Sequence, residues 1–224
     1  NDFSVGDRVV ALSGFGGYAE QVVVDSNRVW PLPDNVSFDA AAAMPVTYLT
    51  AHHMLVHLGN FRAGDSILVH HAAGGVGTAT AQLAKALEAG TVYGTASANK
   101  ADFVEAQGMI HIPRGEDFVK RIKEDNGGVH HALDPVGGKH VMDSYRALRN
   151  GGRLYVFGAS SAVKGPKRSM LKAINMWRTT PRFDPIRMMN SNKSVFGVHM
   201  GMWKDEEVVR EQMVSLAKML EMGF

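Results

Sequence analysis

The chain has no cysteine among its 224 residues. That absence excludes disulfides and any thiolate-held zinc, and it fits a reducing, cytoplasmic setting. No apolar run approaches the ~20 residues that a membrane-spanning helix needs, and a signal peptide is not expected. An excess of one charge is missing too: 24 Lys and Arg face 22 Asp and Glu, so a nucleic-acid partner is not expected. What is present is a globular composition, 45% hydrophobic and 21% charged, in 24.3 kDa, enough for one large domain and part of a second. The sequence opens on Asn1 and stops at Phe224 as a helix is finishing, so we expect a piece of a longer protein.

The strongest signal runs from Asp65 to Lys85. Ile67-Leu68-Val69 is a short apolar run suited to a strand covered on both faces, and the Ala- and Leu-rich stretch beyond Gly77 suits a helix. Between them, Ala72, Gly74 and Gly77 occupy the three positions of a G/A-x-G-x-x-G pattern, with Ala73, Gly75 and Val76 completing the turn. Small residues there let the backbone approach a pyrophosphate, and the helix N-terminus presents about half a positive charge to it. The pattern alone is a weak sign of dinucleotide binding, and its place between strand and helix strengthens it. Further strands are predicted at Thr91 to Ala96, Val129 to Asp134, Arg153 to Gly158 and Ser194 to Met200, most of them followed by helical stretches. Such repeats give an α/β, Rossmann-type parallel sheet that binds ligands beyond the strand C-terminal ends.

The N-terminal part reads differently. Val5 to Leu12 is a turn feeding a strand, and Gly16 to Val24 a second strand after a glycine turn. Trp30-Pro31-Leu32-Pro33 is expected to break regular structure. Ser37 caps a helix carried by Ala40 to Ala43, Met44-Pro45 interrupts it, and Val46 to Gly59 is helical again.

These segments, Val5-Gly6-Asp7-Arg8-Val9, Gly17-Tyr18-Ala19-Glu20, Tyr48-Leu49-Thr50-Ala51, Gly64-Asp65 and Ala72 to Gly77, occur in the order seen in the medium-chain dehydrogenase/reductase superfamily. The chain resembles its zinc-independent quinone oxidoreductase branch. Within that branch, Gly94 to Lys100 and Gly165-Pro166-Lys167-Arg168 are similar to the vesicle amine transport protein group, homologues of a synaptic vesicle membrane protein. The resemblance implies part of a GroES-like β-rich catalytic domain at 1–45, an NADP-binding Rossmann domain at 46–200, and a helix at 201–224 leading back to the catalytic domain. Much of the substrate side would then lie outside these residues.

The tip of the second strand bears on the cofactor. An NAD site wants an Asp or Glu there for the ribose 2′-hydroxyl. This sequence offers Ser97, Asn99 and Lys100, with Asp102 beyond them in the next helix. A 2′-phosphate of about −1.5 to −2 charge would be attracted by Lys100 and hydrogen-bonded by Ser97, so NADPH is the expected cofactor. Ser97 as a helix cap and Lys100 as a solvated charge is the plainer alternative.

By resemblance, Val136 and Gly137 in the Asp-x-Val-Gly segment, and Phe157 and Gly158, line the nicotinamide-ribose side. Asp134 either joins them or caps the turn. Where quinone reductases often place a tyrosine near the adenosine phosphate, the chain has His111-Ile112-Pro113-Arg114, and Arg114 is the alternative source of charge. Tyr48 and Thr50 are the candidates to orient the carboxamide or line the substrate site, or else they pack helices. No metal site is expected: neighbours in His52-His53, His70-His71 and His130-His131 point apart on a strand, and no helical H-x-x-x-H occurs.

A basic connection carries Lys164, Lys167, Arg168, Lys172, Arg178, Arg182 and Arg187 among apolar residues. It reads as a flap or an oligomer contact, or as a peripheral membrane contact. The closing helix from Glu206 has an apolar stripe suited to core packing. The resemblance implies a homodimer that moves hydride from NADPH to a quinone or an α,β-unsaturated carbonyl, without zinc. The alternative is a non-enzymatic, NADPH-binding, membrane-associated or lipid-handling protein.

Overall fold

A computed structural model describes residues 3–160 and 178–221. Of the basic connection, the part up to residue 177, with Lys164, Gly165 to Arg168 and Lys172, lies outside the described residues, while Arg178, Arg182 and Arg187 lie within them.

Six strands form one parallel sheet in the order β5-β4-β3-β6-β7-β8. They are β3 (Ile67–His70), β4 (Val92–Ala96), β5 (Ile110–Pro113), β6 (Val129–Asp134), β7 (Leu148–Val156) and β8 (Ser194–Gly197). Successive residues of β3 serve opposite faces, as the pleat requires. Ile67 and Val69 join one buried cluster with Met54, Leu55 and Leu133, while Leu68 joins another with Ile122, Val141 and Leu154. All four β3 side chains are buried, which explains a continuous apolar run rather than an alternating one.

The helices are α1 (Phe38–His52), α2 (Gly75–Ala86), α3 (Ala101–Ala106), α4 (Phe118–Asn126), α5 (His140–Ala147), α6 (Pro185–Ser191) and α7 (Glu206–Glu221). Ser37 caps α1 as the sequence indicates, its hydroxyl accepting from the Ala40 amide at 3.2 Å. Pro45 does not interrupt that helix; it lies inside it and is buried. An internal proline costs roughly 3 kcal/mol. Packing of Met44 and Leu49 against Ala79 and Leu83 of α2 and Met213 and Leu216 of α7 offsets that cost. The division expected at 45/46 therefore falls within a helix. Beyond His52 the helix widens into a π turn over His53–His57, where the Leu58 amide reaches back to the His53 carbonyl at 2.9 Å.

The N-terminal part differs from expectation. Residues 17–25 form no strand. The partner of β1 (Val9–Ala11) is instead β2 (Val29–Pro31), paired antiparallel. Leu12 N bonds Arg28 O at 3.0 Å and Leu32 N bonds Arg8 O at 2.9 Å. That alternation leaves the Val9–Pro31 pair in a non-hydrogen-bonded position, where the amide missing from proline is not needed. Trp30 faces inward, 4% exposed. Another correction concerns β7, which starts at Leu148, ahead of Gly151-Gly152 rather than after them.

Candidate functional site

One edge of the sheet, beyond the C-terminal ends of β3, β4, β6 and β7, gathers most of the residues singled out from sequence. The turn after β3 is tightly built. A Cβ on Gly77 would lie 2.2 Å from the Ala72 carbonyl oxygen, so the start of α2 presses directly on the end of the strand. Gly74, the N-cap of α2, has no side chain to accept from the first-turn amides. Those amides stay available to an anion. Gly94 of β4 accommodates the methyl of Ala72, which would sit 2.8 Å from a Cβ there. His71 enters the turn with φ +56°, a left-handed conformation that costs a non-glycine residue about 1 kcal/mol.

Ser97 sits at the tip of β4 and Lys100 ends a single 3₁₀ turn, Ala98–Lys100. The Ser97 hydroxyl donates to the Asn99 side-chain oxygen at 2.7 Å and does not cap the turn. Lys100 is exposed, and Asp102 lies beyond it in α3. Arg114, just past β5, donates its amide to the Ala96 carbonyl at 2.8 Å, so it stands beside the β4 tip. Its charge also reaches the glycine turn: burial and then the Arg114 guanidinium hold His71 below the usual imidazole range. The tip of the second strand is thus cationic and free of carboxylates from Ser97 to Ala101.

Two further segments interlock at the ends of β6 and β7. The Phe157 amide donates to the Asp134 carbonyl at 3.1 Å and the Ser160 amide to the Pro135 carbonyl at 3.0 Å. Gly137 needs its positive φ of 74°, and a Cβ on Gly158 would come 2.7 Å from the Pro135 carbonyl oxygen. Val136, Gly137, Phe157 and Gly158 are therefore neighbours. Asp134 takes the turn-capping role: its Oδ1 accepts from the amides of Val136 at 2.7 Å and Gly137 at 3.1 Å.

Tyr48 and Thr50 face away from this edge in their bonding. The Tyr48 hydroxyl donates to Gln82 Oε1 across the α1–α2 contact, and burial raises its pKa. Thr50 Oγ1 donates to the Val46 carbonyl at 2.6 Å. The α1 residue that meets the glycine turn is Thr47, whose Cγ2 would be 2.7 Å from a Cβ on Gly75. Helical periodicity puts Thr47 near the turn only once the α1–α2 packing is known, so no sequence signal marks it.

A buried polar network was also not legible. Ser144 Oγ donates to Asp134 Oδ2 at 2.7 Å, and His140 Nδ1 lies 2.9 Å from the same oxygen. His70 Nε2 is 3.1 Å from Ser144 Oγ, and its Nδ1 is 2.8 Å from Thr95 Oγ1. Burial opposes ionisation of Asp134, but the His140 hydrogen bond, the two imidazoles and Ser144 outweigh it and hold the carboxyl at about 2. Burial, then His140, pushes His70 down to about 3, so it is neutral at pH 7. The adjacent-pair test for chelation misses this group because its histidines come from β3 and α5.

The chain matches a family model described as zinc-binding dehydrogenase over residues 75–218. It is 35% identical over 226 residues to a synaptic vesicle membrane protein VAT-1 homolog of Danio rerio, covering 99% of this chain and 47% of that protein. The chain spans about half the length of the curated relatives it matches. Among solved structures, a quinone oxidoreductase of Pseudomonas syringae superposes with TM-score 0.80 at 30% identity, over 99% of this chain and 65% of the other. The Thermus thermophilus quinone oxidoreductase, solved also with NADPH, gives TM-score 0.74 at 31% identity, over 96% of this chain and 63% of the other. The glycine turn and six-stranded sheet thus have counterparts in sequence and in three dimensions, and the chain belongs to the zinc-binding dehydrogenase family of the medium-chain dehydrogenase/reductase superfamily.

Proposed function

We propose that this chain is the cofactor-binding part of a zinc-independent, NADPH-dependent oxidoreductase that passes hydride to a quinone or an α,β-unsaturated carbonyl. The observation that carries the reading is the turn Ala72 to Gly77 with its uncapped helix N-terminus, set beside a β4 tip that offers Ser97, Lys100 and Arg114 and no carboxylate. Two features support the cofactor: glycine at 75 and 77 lets the start of α2 pack directly on Thr47 and on the Ala72 backbone, and the first-turn amides of α2 have no side-chain cap. In this reading Ala73, Gly74, Gly75, Val76 and Gly77 hold the pyrophosphate by amides. Ser97 and Lys100 hold the 2′-phosphate, and Val136, Gly137, Phe157 and Gly158 bound the nicotinamide-ribose side.

When bound, the cofactor supplies the hydride, and the protein contributes orientation and exclusion of water. Thr47 sets the contact between α1 and the turn, while the hydroxyls of Tyr48 and Thr50 are engaged by Gln82 and by the Val46 carbonyl. The family description names zinc, but the chain has no cysteine and so no thiolate to hold it. We infer a cytoplasmic homodimer; β8 is an edge strand of the sheet, open to a partner strand among the described residues. Steady-state NADPH oxidation with a panel of quinones and enones tests the reading. Turnover with at least one class supports it, and NADPH binding without any oxidation rejects it.

A second reading draws on the relatives named as synaptic vesicle membrane proteins. In it the chain binds NADPH without turnover and the basic connection rests on anionic lipid. No described helix is long and apolar enough to cross a membrane, so contact would be peripheral. Liposome flotation that is unchanged when Lys167, Arg168 and Lys172 are neutralised rejects this version.

A further inference from the structure

His70 at the end of β3, Asp134 at the end of β6 and His140 at the start of α5 each turn one donor atom toward a common point, and these atoms all lie within 4.8 Å of one another. We propose that His70, Asp134 and His140 form a binding site for one divalent late first-row transition ion, zinc or cobalt by ligand class, using no thiolate. Burial is the first argument. Asp134 is fully buried, and among the described residues no lysine or arginine pairs with it; two imidazoles, the Ser144 hydroxyl and two backbone amides surround it. Buried carboxylates are paired with a cation or coordinate a metal, and imidazoles beside one complete a ligand set.

The second argument is orientation. Thr95 Oγ1 engages His70 Nδ1 at 2.8 Å and leaves Nε2 facing the cluster. The Val136 and Gly137 amides engage Asp134 Oδ1 and leave Oδ2 facing the same way. Outer partners that fix a ligand's tautomer and direction are the usual support of a metal centre. Ser144 Oγ, 2.7 Å from Asp134 Oδ2 and 3.1 Å from His70 Nε2, stands where a fourth oxygen ligand belongs.

The distances are those of a metal-free site that closes on binding. Asp134 Oδ2 and His140 Nδ1 are 2.9 Å apart. Ligands at 2.0–2.1 Å from a tetrahedral ion are separated by roughly 3.3 Å. His140, 27% exposed, lies on the side from which an ion would enter, and its ring packs edge-on against His70 with centroids 4.3 Å apart. Without metal the same atoms are satisfied by hydrogen bonds among His70, Ser144, His140 and Asp134, and a neutral imidazole takes up an ion on one ring nitrogen by carrying its proton on the other. Two imidazoles and one carboxylate suit zinc or cobalt and not magnesium or calcium, which require oxygen shells. The ion would tie the start of α5 to the 135–139 turn, whether or not a dinucleotide binds above it.

Tag-free protein is stripped with a chelator and titrated with cobalt(II), following visible ligand-field absorption. We expect saturation at one equivalent and displacement by zinc. His70 and Asp134 are core residues whose loss endangers folding, so the test uses the partly exposed His140 and Thr95. His140→Ala is expected to weaken cobalt binding by more than about 100-fold, and Thr95→Ala by about 10–100-fold, the range for an outer partner. Absence of a ligand-field band in the wild-type protein overturns the proposal, as does a His140→Ala variant that melts like the wild type and binds cobalt within about threefold of it.

Discussion

The cofactor edge of the sheet and the segment before α1 are built from similar residues, yet the first is interlocked throughout and the second only where Val10, Trp30 and Leu32 enter the core. At the edge, backbone meets backbone: Gly77 against Ala72, Gly158 against Pro135, Gly94 against Ala72. In the segment, Val5, Phe15, Tyr18 and Val23 are fully exposed, and the regular structure is one three-residue ladder and the 3₁₀ turn Ser26–Arg28. The difference teaches that a glycine or an aliphatic residue has no fixed meaning. A glycine matters where an opposing carbonyl leaves no room, and an exposed valine matters only when something covers it.

The contrast is broken most directly at Gly77. Gly77→Val places carbon against a carbonyl that cannot move without displacing β3, and we expect a loss on the order of 3 kcal/mol in urea unfolding together with loss of dinucleotide binding. Retained binding would show that the turn tolerates what its geometry forbids.

Acid is the next lever. Burial, aided by the His57 charge, holds His53 at about 4, and burial holds His131 at about 4. The unfolded chain takes up these protons near the ordinary 6.5, whereas the folded chain waits until about 4. Stability is therefore full above pH 6.5 and lost as pH falls through that window. We expect the melting temperature to fall by more than about 5 °C between pH 6.5 and 4, and His131→Gln to flatten the slope. A flat profile would mean that these rings are not closed off from water.

Lys100→Ala sharpens the comparison within the edge itself. An exposed charge is screened, so we expect about 1 kcal/mol, or about fivefold weaker NADPH binding, with NADH unaffected. Val23→Ser should change stability by less than about 0.5 kcal/mol, because its side chain has nothing to lose. A larger loss would show that the segment is covered in solution.

Legibility followed the range of the interaction. The strand-turn-helix around Ala72 to Gly77 is encoded within a dozen consecutive residues, and both its place and its tight packing match the sequence pattern. Strand β2 needed pairing information that local propensity lacks, so Gly16 to Val24 read as a strand and Trp30-Pro31 as a break. Pro45 stays helical because α2 and α7 pack around α1, a tertiary effect. The position of Ser97 and Lys100 at the β4 tip followed from their spacing after the glycine turn, whereas Arg114 acquires its relation to His71 only through the β4–β5 register. His70, Asp134, His140 and Thr95 meet only in three dimensions, and Thr47 meets the glycine turn only through the α1–α2 packing.

The most direct test of the cofactor assignment is a fluorescence titration of the wild-type chain with NADPH and with NADH. The account predicts saturable binding with NADPH preferred by at least about tenfold, the worth of about 1.4 kcal/mol at the 2′-phosphate. Equal affinity for the two, or binding of neither, would contradict it.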